Sequence, residues 1–246
     1  MKLLVDIGNT TLSTSLWKND KLYKIKNIQN HKLSLILSEY NKISVSLIII
    51  SSVISQKNTM LIKEKLRKVF NCEIKQIKSS ENFLGVTNGY NIPRKLGADR
   101  WVTIVASHIS FRKPLIIVDC GTAISIDCVN KNGRHLGGYI LSGYNGYAQA
   151  FANAHNLKNI KLKSSNIYNK KSLPKKTGDA ITSGYVLMVA SAIEKIYDDM
   201  LYKFKDKPAL IMTGSYAKQI LPYVSISVIY ERYLVLKSLG IISNRV

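Results

Sequence analysis

Three acids of this chain stand among glycines, hydroxyls and apolar residues, where they could do chemistry. Asp6-Ile7-Gly8-Asn9-Thr10-Thr11-Leu12-Ser13 follows a short apolar run. A glycine after a strand lets the backbone turn tightly and present N–H groups to an oxyanion. Thr10, Thr11 and Ser13 add hydroxyl donors. Asp6 has the wrong charge for bare phosphate but the right one for Mg²⁺ carried by ATP. An ordinary hairpin turn uses the same residue types, so the segment alone leaves both readings open. Gly97-Ala98-Asp99-Arg100 stands at a loop-to-helix junction. Asp99 could be a helix N-cap. It could instead be a general base, with Arg100 anchoring an anionic substrate, as phosphoryl transfer to a hydroxyl requires. Asp119-Cys120-Gly121-Thr122 repeats the logic of the first turn, with Thr122 as a phosphate donor and Asp119 as a cation ligand. Gly137-Gly138 and Gly143 offer further positions of close approach. The chain has neither G-x-x-x-x-G-K-[ST] nor G-x-G-x-x-G, so a nucleotide would be cradled by hairpin turns instead.

The elements that must position these residues can be read from periodicity. Lys2–Ile7, Thr11–Trp17 and Lys21–Ile28 read as a β-meander opened by the Asp6 turn. Leu33–Tyr40 has a helical pattern, and Val45–Val53 reads as a buried strand. Thr59–Val69 is an amphipathic helix, with Leu61, Ile62, Leu66 and Val69 among charges. Glu73–Ile77 is a strand. Phe83–Ala98, rich in Gly, Asn and Pro, is mainly loop, and Asp99–Ser110 is helical. A second meander follows the break at Lys113-Pro114: Leu115–Val118 running into the Asp119 turn, Ala123–Val129, a turn at Asn130–Gly133, and Gly137–Leu141. Lys158–Lys176 reads as a polar, basic, mobile loop. Ala180–Phe204 is one long helix, Pro208–Thr213 and Val224–Ile229 are strands, and Tyr233–Leu239 is helical. A strand–acid–Gly–Thr turn thus occurs twice, each time opening a meander. That predicts a duplicated α/β domain, 1–113 and 114–246, with a cleft between the halves.

The chain of 246 residues with 46% hydrophobic content can bury a sizeable core. No apolar run approaches the roughly 20 residues that span a bilayer. The first residues reach an acid and a glycine too soon for a signal peptide, so the cytoplasm is expected and no membrane partner. Cys72, Cys120 and Cys128 contain no C-x-x-C pair, and His31, His108, His135 and His155 are scattered, which argues against a zinc site or disulfide scaffold. Cys120 and Cys128 read as small core residues, Trp17 and Trp101 as packing. The net charge is +21, from 36 Lys and Arg against 15 Asp and Glu. Only seven of the cations are Arg, and the Lys are spread along the chain. Nucleic-acid readers favour Arg, clustered patches and aromatic platforms. The charge therefore reads as a solvated surface without a specific nucleic-acid partner.

Together, in their order and spacing from Asp6 to the last helix, these motifs resemble those of the type III pantothenate kinases. That family belongs to the acetate-sugar kinase/Hsp70/actin superfamily. Asp6-Ile7-Gly8-Asn9-Thr10 is similar to the family's first phosphate motif and Gly97-Ala98-Asp99-Arg100 to its substrate motif. Asp119-Cys120-Gly121-Thr122, with Gly133-Arg134-His135-Leu136-Gly137-Gly138, is similar to its second phosphate and cation motif. Thr177, in Lys176-Thr177-Gly178-Asp179-Ala180-Ile181, sits where the family has a substrate-binding threonine before its long helix. The sequence departs from the family at Ser142, where Pro is common, and at Ser215, where a second Gly is common.

The resemblance implies two ribonuclease-H-like (actin-like ATPase) α/β domains with a central cleft. It implies ATP on Asp6, Ile7, Gly8, Asn9, Thr10, Thr11, Leu12, Ser13 and Thr122. Asp99 would accept the proton of the pantothenate hydroxyl. Tyr90, Gly97, Ala98, Arg100 and Thr177 would contact pantothenate. Asp119 would ligate K⁺ or NH₄⁺, Mg²⁺ would accompany ATP, and the chain would form a homodimer. Two rival readings remain: a kinase of the superfamily with another acceptor, and a non-enzymatic regulatory or nucleic-acid-binding relative. The Gly-Ala-Asp-Arg motif with Thr177 speaks against the first. Retention of all three acids speaks against the second.

Overall fold

The structure, a computed structural model, describes residues 1–29, 37, 39–40, 43–151, 172–204 and 206–246. The polypeptide groups into two compact units, Met1–Arg112 with Tyr233–Val246, and Lys113–Arg232.

In the first unit, β1 (Lys2–Ile7), β2 (Thr11–Lys18) and β3 (Lys21–Gln29) form the meander. β4 (Leu47–Ser52), α1 (Gln56–Val69) and β5 (Glu73–Gln76) follow. The sheet order is β3-β2-β1-β4-β5, antiparallel across the meander and parallel from β1 to β4 to β5. The central strands β1 and β4 are nearly continuous apolar runs because both of their faces are covered. Edge strand β3 is mostly exposed and carries Lys21, Lys24 and Lys26, which discourages pairing with another chain. Ser55 caps α1 by accepting the Asn58 N–H, and Thr59, Ile62 and Leu66 bury its inner face. A two-residue hairpin, β6 (Asn82–Phe83) with β7 (Val86–Thr87), leads to α2 (Ala98–Phe111). Residues 101–108 of α2 are all buried, and the helix stops at Arg112 in a left-handed conformation.

The second unit repeats the plan. β8 (Leu115–Cys120), β9 (Ala123–Val129) and β10 (His135–Ser142) form its meander. α3 (Tyr144–Gln149) and the 28-residue α4 (Thr177–Phe204) precede β11 (Ala209–Thr213), α5 (Ala217–Ile220) and β12 (Val228–Tyr230). The order β10-β9-β8-β11-β12 is that of the first sheet, with the same antiparallel and parallel pairings. This repeated α/β topology bears out the duplication expected from the turns and is the ribonuclease-H-like, actin-like ATPase architecture that the resemblance implies. The inner face of α4, including Tyr185, Val186, Val189 and Ile193, packs on the core of this sheet. Burial pushes the Cys128 thiol up to about 12 and raises the Cys120 thiol as well, so both stay protonated core groups.

The last helix, α6 (Leu234–Ser243), belongs to the first unit rather than to the stretch 114–246 expected as the second half. Leu236, Leu239 and Ile242 are buried, and Gly240 lies so close to the Trp17 ring that a Cβ there would be 2.4 Å from it. Lys2 Nζ also donates to Ser243 O at 2.6 Å. The expected helix Leu33–Tyr40 lies mostly outside the described residues, and so does most of the expected loop Lys158–Lys176. In place of the expected strand Val224–Ile229 the structure has the shorter β12, Val228–Tyr230, after a 3₁₀ turn at Leu221–Tyr223 around Pro222. No helix among the described residues is long and apolar enough to cross a membrane.

Candidate active site

Asp6 is the penultimate residue of β1, facing Ser13 of β2 on one side and Ser51 of β4 on the other. Asp119 has the corresponding place in β8, between Ser125 of β9 and Thr213 of β11. Each acid is half-buried and flanked by a hydroxyl residue on both neighbouring strands. The repeated register therefore places two equivalent polar notches at the carboxyl ends of two apolar strands, where open α/β sheets hold ligands.

The first turn is closed by the Gly8 N–H donating to Thr11 O at 2.9 Å. Asn9, Thr10 and Thr11 are exposed at its tip, and Ser13 is half-buried. Ile7 and Leu12 are fully buried core side chains, so only their backbone can serve a nucleotide. The second turn is shorter, with the Gly121 N–H donating to Ala123 O at 3.1 Å and Thr122 exposed. Two glycines let other chain segments press against it. A Cβ on Gly143 would lie 2.2 Å from Thr122 O and 2.7 Å from Gly121 O. Gly214, at φ +98°, would bring a Cβ within 2.6 Å of the Asp119 carboxylate. Gly143→Ala is accordingly expected to cost about 1–3 kcal/mol, the usual range for overpacking, because the turn must shift. An unchanged melting temperature would show that the turn does not depend on this contact.

The Gly97-Ala98-Asp99-Arg100 motif is built at the start of α2. Gly97 precedes the helix without a side-chain cap, and Asp99 turns its Oδ1 back to accept the Arg100 N–H at 2.7 Å. Asp99 is thus in the first turn of the helix rather than at the cap position. A Cβ on Gly97 would stand 2.6 Å from that Oδ1, so glycine leaves the carboxylate its room. Arg100 Nη1 donates to the Tyr90 hydroxyl at 2.9 Å, and its guanidinium carbon lies 5.6 Å from the centre of the Tyr90 ring. This pair presents a cation held in place by a hydrogen bond and a ring quadrupole. Tyr90 is itself set by Asn88, whose Oδ1 accepts the Tyr90 N–H and whose Nδ2 donates to Ser80 O and Pro93 O. Asn88 is buried and organises the loop, yet Asn in a Gly- and Pro-rich stretch carries no particular signal in the sequence. Val53 links the two groups of the first unit. Its N–H donates to Ile7 O, and its Cγ1 would be 3.9 Å from a Cβ at Gly97. Thr177 opens α4 in the second unit and is exposed.

No cluster of three or more His, Cys, Asp and Glu side chains that could hold a metal occurs among the described residues. Asp119 Oδ1 and Cys120 O both border the space beside Gly214, a pair of hard oxygen donors of the kind that alkali and alkaline-earth cations take.

The sequence model of the type III pantothenate kinase family matches residues 2–199. The type III pantothenate kinase of Sulfurihydrogenibium sp. (strain YO3AOP1) is 32% identical over 253 residues, covering 97% of this chain and 98% of its own. That of Thermosipho melanesiensis is 30% identical over 246 residues, covering 97% and 96%. Among solved structures, a Campylobacter jejuni protein assigned as a Baf family transcriptional activator aligns with a TM-score of 0.61 at 21% identity, covering 99% of this chain and 98% of its own. A Sinorhizobium meliloti protein assigned as a 2-dehydro-3-deoxygalactonokinase aligns with a TM-score of 0.60 at 10% identity, covering 100% and 96%. At these identities the structural likeness speaks for the fold.

Proposed function

The chain belongs to the type III pantothenate kinase family, and from that premise we propose which of its residues phosphorylate pantothenate with ATP. The reaction gives 4′-phosphopantothenate and is the first step toward coenzyme A. The observation that carries the assignment is the unit formed by Asp99, Arg100 and Tyr90: a carboxylate fixed in the first turn of a helix beside a restrained cation. Asp99 takes the proton of the acceptor hydroxyl as the new P–O bond forms. Arg100, steadied by Tyr90, anchors the acceptor carboxylate, with Gly97 and Ala98 as the backbone wall and Thr177 as a further contact. The turn Asp6–Ser13 offers N–H and hydroxyl donors to the phosphates of ATP, with Ile7 and Leu12 serving through backbone, and Thr122 donates to phosphate from the second turn. Mg²⁺ entering with ATP spreads the charge of the β- and γ-phosphates. Asp119 and neighbouring backbone oxygens form a hard-oxygen donor set that fits K⁺ or NH₄⁺. The protein groups act mainly by positioning and charge neutralisation.

The same reading includes a homodimer in the cytoplasm. Large apolar side chains left exposed on β10 (Tyr139 and Ile140) and α4 (Leu187 and Met188) support the dimer. Purified protein given Mg²⁺-ATP and K⁺ is expected to release ADP only when pantothenate is added. Turnover that ignores pantothenate but follows a sugar would overturn the choice of acceptor. No turnover with any acceptor would favour the non-enzymatic reading.

A further inference from the structure

The first unit holds a cavity of about 570 Å³ whose lining includes Gly97 and Ala98 of the acceptor loop but whose charged side chains have no role above. It opens at the carboxyl ends of β4 and β5 and is lined by Ser52 and Val53 at the end of one strand and by Gln76 and Lys78 at the end of the other. Arg94 and Lys95, from the 3₁₀ turn Pro93–Lys95, close a further side. The volume is in the range of small-molecule sites. Three cations line it and no acid does, and none of the three forms an ion pair among the described residues. Polar groups complete the wall, among them Ser79, held by its hydrogen bond to Leu96 O at 2.7 Å, and Ser52 with Thr59, whose hydroxyls are 2.8 Å apart.

Three cations around one cavity over-neutralise a single carboxylate but match a dianion with several acceptor oxygens. Arg94 adds a planar fork suited to phosphate, and the two Lys add point charges. We propose that this cavity is a binding site for a small phosphate-bearing anion, a phosphate ester or diphosphate, separate from the ATP turns. Gly97 and Ala98 also line it, so its occupant would stand beside the acceptor loop. Only in this kinetic consequence does the inference rest on the acceptor reading: an anion here repels anionic pantothenate and raises its KM, leaving the KM for ATP unchanged.

The test is calorimetric titration of the full chain, without ATP, with inorganic pyrophosphate, glycerol 3-phosphate and 4′-phosphopantothenate. Saturable binding is expected, weakened at least about 30-fold in a Lys78→Gln/Arg94→Gln/Lys95→Gln variant, since each charge-assisted contact contributes about tenfold or more. All three side chains are exposed, so the variant should melt like the parent, and single Arg94→Gln provides a milder check. A Lys18→Gln/Lys21→Gln/Lys68→Gln control removes the same charge elsewhere and should bind as the parent does. Tightest binding of 4′-phosphopantothenate would make the cavity a product site, and similar binding of all three probes a general phosphate-ester site. Either supports the proposal. No binding, equal loss in the control, or tighter binding of a DNA duplex lost in the same variant would overturn it. Because binding is read without turnover, failure of the acceptor reading would remove only the pantothenate KM effect.

Discussion

Asp99→Asn is expected to lower kcat by about 10²–10⁴, the usual contribution of a positioned general base, while the KM for ATP stays close to the parent value. The substitution keeps the shape of the side chain. Asn Oδ1 can still accept the Arg100 N–H that Asp99 accepts at 2.7 Å, so the start of α2 and the Arg100–Tyr90 pair should persist. What is lost is the ability to take a proton from the acceptor hydroxyl while the phosphoryl group is in flight. Initial-rate kinetics with saturating ATP and pantothenate would measure the drop, and thermal melting would confirm an intact fold. A variant retaining most of its turnover would remove Asp99 from the mechanism.

The second large effect is expected at Asp119. A carboxylate beside an ATP phosphate repels it: like charges about 4 Å apart at an effective dielectric near 20 cost about 4 kcal/mol. No Lys or Arg occurs within Val118–Thr122 to offset that repulsion. Chain segments also press so closely on the turn, at Gly143 and Gly214, that a side chain at either position would collide with it. A monovalent ion with oxygen ligands can meet the need without a fixed side-chain geometry. Activity should therefore require millimolar K⁺ or NH₄⁺, with Na⁺ a poor substitute. Asp119→Asn removes that ion's charged ligand, and loss of the ion's own attraction for the phosphates, of similar size at the same separation, should weaken cation activation and lower kcat/KM for ATP together, by about 10²-fold. Pantothenate binding to the free enzyme should change less. Full activity in buffer holding only Mg²⁺ and a bulky organic cation would sink this account.

What could be read in advance was whatever depends on local rules. Asp6 and Asp119 each end an apolar run and precede a glycine, and the meander after each follows from alternation and turn chemistry. The helices start slightly before their first expected residues, because the first turn Gln56-Lys57-Asn58 is polar and Ala98 is a single small residue after a loop, each entered through its cap position, Ser55 and Gly97. The hydroxyls at Ser13 and Ser125 gain their meaning only from register, which no single strand reveals. Short elements such as α3 and α5 are held by tertiary packing and leave too little periodicity to detect. The cavity cations were invisible for a different reason. Lys78 is separated in sequence from Arg94 and Lys95, and all three are lost among 36 basic residues. The apolar character of α6 announced burial, but not the surface against which it would be buried.

That allegiance of α6 has a consequence for the making of the protein. The ribosome delivers residues 1–112 first and Leu234–Ser243 only after the whole of the second unit. Until then the surface around Trp17 that Gly240 covers has no lid, and Lys2 lacks its partner at Ser243. The first unit to emerge is thus the second to be finished, while Lys113–Arg232 is contiguous and can close as a self-contained segment during synthesis. A nascent chain stalled before residue 233 should carry a protease-resistant second unit and a first unit that is still cleaved.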